Sequence, residues 1–413
     1  MSEREGLLFA AADPAAARLA GALAWLWRLG PVLASPGPGA VAIGGKGDED
    51  ELSRLLREGR LAGAAVLGQG PGPAGPGDGI LRIAADPDTE WGRLGFHRVL
   101  EALSGYLVET LDRPLVLLPR IGMLRIDDLP GTAQHQLEGR AKADRRQRRR
   151  LRRYVRACRR AGAVLNAAVP AQAFREGRRV PLDQVWPGSI AALRDGVAEG
   201  AVEAVCHGLL HLDTERLEHG ELEFREFARL DEEEAGRRID AAREWQAGAI
   251  GPSQTMVAPA WAYSEGALRA ASRRKLPCFM RCEPGSVFGP GRMPESLDSG
   301  LGIRGLDYRP LGRLSGAGLP PTLVLHGTMI DARTGSFSFP ADLLTAARLF
   351  TRRDLSRLPA VEGLDWVGAS AYARALALHD QISVEGTEVR LPPGATARVL
   401  DRSGERQISS STS

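Results

Sequence analysis

The 413-residue chain has only four cysteines, Cys158, Cys206, Cys278 and Cys282, too few for a disulfide framework in a chain this size. Cys278 and Cys282 form a loose pair, and no second pair completes a zinc knuckle, so the thiols read as structural. Long apolar runs are also missing. Ala15–Trp27 is apolar but too short and too broken to span a membrane. Met1–Leu8 has no basic region leading into an apolar one, so no export signal is read and the expected compartment is the cytoplasm. The formal net charge is only +3, which gives no general argument for a nucleic-acid or membrane partner. Neither phosphate-cradling loop is present: GxGxxG is missing, and Gly44-Gly45-Lys46-Gly47 is too short and reads as a turn.

With 43% hydrophobic and 25% charged residues, the chain can bury a sizeable core, and its length fits two or three domains. Apolar runs alternate with helical patterns from the start. Strands are expected at Gly6–Ala11, Ala40–Gly44, Ala62–Leu67 and Ile80–Ala84, with helices at Pro14–Leu29, Asp48–Gly59 and about Trp91–Leu111. Residues 1–112 therefore read as a small α/β domain with a parallel sheet, of unassigned role. Gly68–Asp78 reads as a Gly/Pro loop.

From Pro114 the alternation changes character, because polar residues fall where strands finish. Met123–Ile126 runs into Asp127-Asp128, Ala201–Cys206 into His207, and Thr322–Leu325 into His326. In parallel α/β barrels the reacting groups gather at the C-terminal ends of the strands. The expectation is a partly closed (β/α) barrel over residues 113–350. Residues 351–413 read as a helix to about His379, then short strands at Gln381–Val384, Glu388–Leu391 and Ala397–Leu400. Ser409–Ser413 is read as a disordered tail.

Cys206-His207-Gly208-Leu209-Leu210-His211 spaces two imidazoles four residues apart, which on a helical turn puts both on one side. A third ligand can come from Asp127-Asp128, whose neighbouring carboxylates point in different directions. One can bind a metal while the other faces substrate. Two histidines and a carboxylate make a common open catalytic site.

The ordered set Arg125-Ile126-Asp127-Asp128, His207-Gly-Leu-Leu-His211, Val257-Ala258-Pro259-Ala260-Trp261 and Leu325-His326-Gly327 resembles the polysaccharide deacetylase (NodB-homology) superfamily over about residues 114–350. The resemblance implies a barrel of that type and one divalent ion, Zn²⁺ first, with Co²⁺, Ni²⁺, Fe²⁺ or Mn²⁺ as alternatives. Asp128, His207 and His211 would hold it, Asp127 would act as general base and His326 as general acid. The implied reaction is attack of metal-bound water on an N-acetyl or related acyl group of a sugar-containing substrate, breaking a C–N bond other than a peptide bond. Hydrolysis of a non-sugar amide or imide, or a lapsed enzyme that only binds metal, are the alternatives. Pro259, Trp261 and Tyr263 are candidate substrate-binding residues. The two rings could wall a sugar, with ordinary packing as the other reading.

Two departures stand out. Met256-Val257-Ala258 precedes Pro259 where the family carries an Arg that steadies the catalytic Asp, leaving Arg125 or Arg281 to replace it. The family's Asp-and-Trp motif is not found in Pro277–Pro290. Among the remaining groups, His219 with Glu221, Glu223 and Glu226 reads as a solvated acidic loop, and His97, His135 and His379 as structural. The Arg140–Arg160 run carries Leu151, Tyr154, Val155 and Cys158 at helical spacing. It reads as a barrel helix with a solvated basic face, so no nucleic-acid partner is expected. The oligomeric state is open.

Overall fold

The protein is described by a computed structural model covering residues 7–410, apart from 11, 69–77, 85–96, 112, 131–140, 176–177, 212–224, 282–291, 296–308 and 327–363. The expected Gly68–Asp78 loop, His135, His219, Glu221, Glu223, Cys282 and most of Pro277–Pro290 lie outside the described residues. Among the described residues no helix is long and apolar enough to cross a membrane.

Near its start the chain forms a parallel sheet of β1 (Leu8–Ala10), β2 (Val32–Leu33), β3 (Val41–Gly45), β4 (Gly63–Leu67) and β5 (Ile80–Ile83), in the order β2-β1-β3-β4-β5. Helix α1 (Pro14–Leu26) starts where Pro14 supplies a ready φ and the Asp13 carboxylate accepts from Ala15 N and Ala16 N at 2.8 and 2.9 Å. Helices α2 (Glu49–Arg57) and α3 (His97–Thr110) follow.

A second, eight-stranded sheet positions the site. Its path is β14 (Arg292–Glu295), β13 (Cys278–Arg281), β12 (Met256–Val257), β11 (Val202–Cys206), β8 (Leu165–Val169), β7 (Ile121–Asp127) and β15 (Thr322–His326), every pairing parallel. From β7 to β14 the chain steps one way round. Helices α4 (Ala141–Arg160), α5 (Pro187–Ala198), α6 (Glu232–Ala249) and α7 (Glu265–Arg273) make the returns. After α8 (Arg309–Gly316), β15 arrives on the other flank of β7. No pairing joins β14 to β15 among the described residues, so the (β/α) barrel is partly closed, as the strand-end pattern implied. Its central strands are buried almost throughout because helices cover the outside: all of Leu165–Val169 and Ile121–Asp127 is buried, and all of Val202–Cys206 but Glu203.

Helix α4 confirms the stripe within the arginine run. Leu151, Tyr154, Val155 and Cys158 are buried, while Arg152 and Arg159 face α5 and pair with Asp195 (3.4 Å) and Glu199 (3.0 Å).

Several long-range pairings escaped the local pattern. The Leu115–Leu117 strand (β6) is not a barrel strand; it pairs antiparallel with β19 (Thr396–Asp401), which also pairs with β20 (Gly404–Ser409). Ser409 therefore closes a strand rather than opening a disordered tail, and Ser410 N donates to Ala395 O. Strand β16 (Asp365–Val367) joins the barrel sheet beside the start of β7. Helix α9 (Ala369–Asp380) then lies across the N-terminal end of the barrel. Ala369 N donates to Asn166 Oδ1 (2.6 Å), Tyr372 Oη donates to Pro320 O (2.8 Å), and the Tyr372 ring sits 6.1 Å from Phe279. At its far end His379 Nε2 donates to Leu26 O (3.0 Å), and Arg28 reaches Asp380. One hydrophobic core runs through both sheets and α9, from Leu8 and Leu23 to Met123 and Tyr372.

Candidate metal centre

At the C-terminal edge of the barrel, β7 ends in Asp127 and the chain turns at Asp128, whose φ of 60° reverses the backbone and sends the second carboxylate away from the first. Asp128 Oδ1 lies 3.0 Å from His207 Nε2 and 2.7 Å from His211 Nε2. The two rings meet edge to face at 5.0 Å. Donor atoms of all three residues lie within 4.8 Å of one another, close enough to share one ion.

His207 follows β11, and its Nδ1–H donates to Val257 O (2.8 Å) at the end of β12. That bond fixes the tautomer and leaves Nε2 as the atom facing Asp128. Burial works against a charged Asp128, but when the two rings are protonated the charge on His211 and the hydrogen bonds that both imidazoliums donate hold its carboxyl well below the usual range. Burial likewise disfavours the His207 imidazolium, and the hydrogen bond and charge of Asp128 outweigh it, raising its pKa.

The His207–His211 segment is not the helical turn that its spacing suggested. It is a bent loop with Gly208 at φ 82° and His211 at φ 64°, wrapped around the carboxylate of Glu226. Glu226 accepts from Leu209 N, Leu210 N and His211 N at 3.1–3.2 Å, with Arg238 Nη1 at 3.6 Å. A Cβ at position 208 would collide with that carboxylate, so the second residue of the motif has to be glycine. Glu226 is 1% exposed, which overturns the reading of it as part of a solvated loop. Burial pushes its pKa up, against the Arg238 charge and the three amides. Nothing in its local sequence marks it; the backbone amides it satisfies lie 15 to 17 residues earlier.

Arg125, one of the two arginines expected to steady Asp127, pairs with it directly. Its Nε donates to Asp127 Oδ1 (2.6 Å) and its Nη2 to Asp127 Oδ2 (2.9 Å), a two-pronged pair with side chains 0% and 4% exposed. The guanidinium also lies 5.7 Å from the centre of the Phe279 ring. Two residues apart on one strand, the two side chains share a face.

Strand register sets His326 opposite Asp127. After β12 the chain passes through Pro259, buried, and through Ala260 and Trp261 at φ 53° and 52°. Trp261 is half-buried against the main core. The Tyr263 hydroxyl accepts from Ala258 N (2.7 Å) and donates to Phe279 O (3.0 Å), tying the ends of β12 and β13 together. Its polar end is thus used within the fold.

The donor set fits a divalent ion: two neutral-capable imidazole nitrogens and a carboxylate oxygen, with one ring oriented through its other nitrogen and the second held by a buried loop clamp.

No family model matches the sequence, and no curated protein matches it. Among solved structures, the chain is similar to a family 4 carbohydrate esterase from Streptomyces lividans in complex with acetate (13% identity, 60% of this chain and 92% of that one, TM-score 0.33). It is also similar to a family 4 acetyl xylan esterase from Clostridium thermocellum in complex with a cobalt ion (11%, 61% and 89%, TM-score 0.33). A third is a CE4-family pseudoenzyme from Bacillus anthracis (8%, 62% and 66%, TM-score 0.35). At these scores the overlap is partial, and the chain's own site carries the functional reading.

Proposed function

We propose that this protein is a metal-dependent hydrolase that removes an N-acetyl or related acyl group from a sugar-containing substrate. The observation that carries the proposal is the convergence of Asp128, His207 and His211 beside an Asp127 gripped by Arg125, all at the C-terminal edge of a (β/α) barrel. Two additional carboxylate and guanidinium groups beside a metal site serve chemistry; binding an ion alone does not require them.

Asp128, His207 and His211 would hold the ion, with Zn²⁺ the first choice for this donor set. When bound, such an ion lowers the pKa of water to near neutrality and polarises an acyl carbonyl. Asp127 would take the proton from the attacking water. The Arg125 fork occupies one lone pair on each Asp127 oxygen, which aims the carboxylate and leaves the other lone pairs to accept. His326, in register with Asp127, would return a proton to the departing amine. Trp261 and Pro259 would border the substrate, with Tyr263 bracing the loop behind them. Residues 113–350 are assigned to this barrel apart from β6, with β16 added to its sheet, 1–112 to a small α/β domain and the rest of 351–413 to the C-terminal extension.

The test is metal analysis of the purified protein together with acetate release from a panel of N-acetylated sugars. About one metal ion per chain and measurable acetate are expected. Asp127→Asn should keep the metal and lose activity by roughly 10²–10⁴-fold, the usual range for a general base. A metal-loaded protein that releases acetate from none of these sugars removes the deacetylase reading.

A further inference from the structure

The end of the barrel opposite the metal centre holds a cavity of about 330 Å³ between α9 and the segments that lead into β12 and β13. Arg243, Gln254, Arg274, Lys275, Ser370 and Arg374 supply its polar lining, and Leu276, Pro277, Ala373 and Ala377 an apolar wall. Four cationic side chains line it and no carboxylate does. We propose that this cavity binds a small organic phosphate, with the phosphoryl group among the cations and the organic part against the apolar wall.

The fold holds two of the guanidiniums in place. Arg274 forks onto Asp240, with Nε–Oδ1 at 2.6 Å and Nη2–Oδ2 at 2.5 Å, while its Nη1 donates to Ala270 O (2.9 Å). Arg243 donates from Nε and Nη2 to Ser253 O (3.3 and 3.2 Å). Arg374 and Lys275 are exposed and form no ion pair among the described residues. Among the described residues, two carboxylates hydrogen-bond to the lining, and Glu232 also acts on the Arg274 charge. Asp240 pairs with Arg274, and Glu203 accepts from Ser370 N (2.7 Å) and Oγ (2.9 Å) behind the wall. The four lining cations outnumber the carboxylates beside them, which favours an anion such as a phosphate monoester. Gathering like charges costs free energy that an anion recovers, and arginine geometry suits phosphate oxygens. Ser370 lies in the first turn of α9, whose dipole adds a fractional positive charge on the same side. The volume sits at the small end of ligand sites, about 300–1,000 Å³, enough for a sugar phosphate.

The proposal does not depend on the hydrolase reading, since the cavity shares no residue with the metal centre. The experiment is calorimetric titration of the full, metal-loaded chain with inorganic phosphate, a hexose phosphate, a nucleoside monophosphate and the neutral hexose. Saturable binding of a phosphate monoester, tighter than inorganic phosphate and with no heat from the neutral sugar, is expected. The surface double variant Arg374→Gln/Lys275→Gln should weaken it at least tenfold with an unchanged melting temperature, and Asp128→Ala should leave it intact. Equal binding of inorganic phosphate and monoesters would overturn the organic-phosphate assignment. Absence of binding by every phosphate probe at millimolar concentration would overturn the site. So would binding that survives the double variant or vanishes in Asp128→Ala.

Discussion

Replacing Glu226 with Gln tests whether a residue far from the sequence motif controls the metal centre. The carboxylate is 1% exposed, and its Oε2 receives three backbone N–H groups from Leu209, Leu210 and His211. Gln keeps the volume and one oxygen able to face those donors, while its NH₂ then points toward Arg238, which stands 3.6 Å from Oε1. Three charge-assisted bonds become neutral ones, a loss of about 1 kcal/mol each, and a donor meets a cation. A destabilisation of about 3 kcal/mol or more follows. Glu226→Ala leaves three buried amides without an acceptor, at about 1–3 kcal/mol apiece, and should cost more. The loop also sets the His211 ring, so the Gln variant should bind metal about 10–100-fold more weakly, the range for lost supporting contacts around a metal. Urea unfolding without added metal gives the first number, and titration against a competing chelator gives the second. A Gln variant within about 0.5 kcal/mol of wild type and with unchanged metal affinity would show that Glu226 does not shape the site.

Three other outcomes are expected. Arg125→Met strands the buried Asp127 carboxylate and should cost about 3–5 kcal/mol, whereas Arg125→Lys keeps the charge, loses the fork and should lower kcat while metal content stays constant; steady-state kinetics beside metal analysis separates the two. His379 is buried, and burial with the nearby Arg28 charge pushes its pKa down from 6.5 to about 4, so the unfolded chain binds a proton more readily between these values. Stability present above pH 6.5 is then lost as pH falls toward 4, by about 2–3 kcal/mol at pH 4.5; urea unfolding of wild type and His379→Gln at pH 7.5 and 4.5 should show that the variant loses this acid sensitivity. Asp144→Ala removes the carboxylate that accepts from Gly188 N (2.9 Å), Ser189 N (2.8 Å) and Ser189 Oγ (2.7 Å) at the start of α5, and should lower stability by about 1–2 kcal/mol in a thermal or urea melt.

The barrel and its candidate metal cluster were legible because both leave local marks. Apolar runs of strand length ended in Asp127-Asp128, His207 and His326, and in a parallel sheet those positions share one edge. Spacing could not say that His207–Leu210 is a loop, because four-residue spacing fits a helical turn equally well. The clamp that bends it, Glu226, acts from outside the motif.

What the amino-acid order determined alone was the alternation of strand and helix, the burial stripe of α4, and the identity of the groups placed at strand ends. These follow from side-chain periodicity within one element. The tertiary structure alone decided that Glu226 clamps the His207–His211 loop, that β6 leaves the barrel for β19, and that α9 covers the barrel end and walls a cationic cavity. Those outcomes depend on contacts between segments far apart in the chain, as in the His379–Leu26 hydrogen bond, which spans 353 residues. Their energies come from burial and pairing that exist only once the chain has closed.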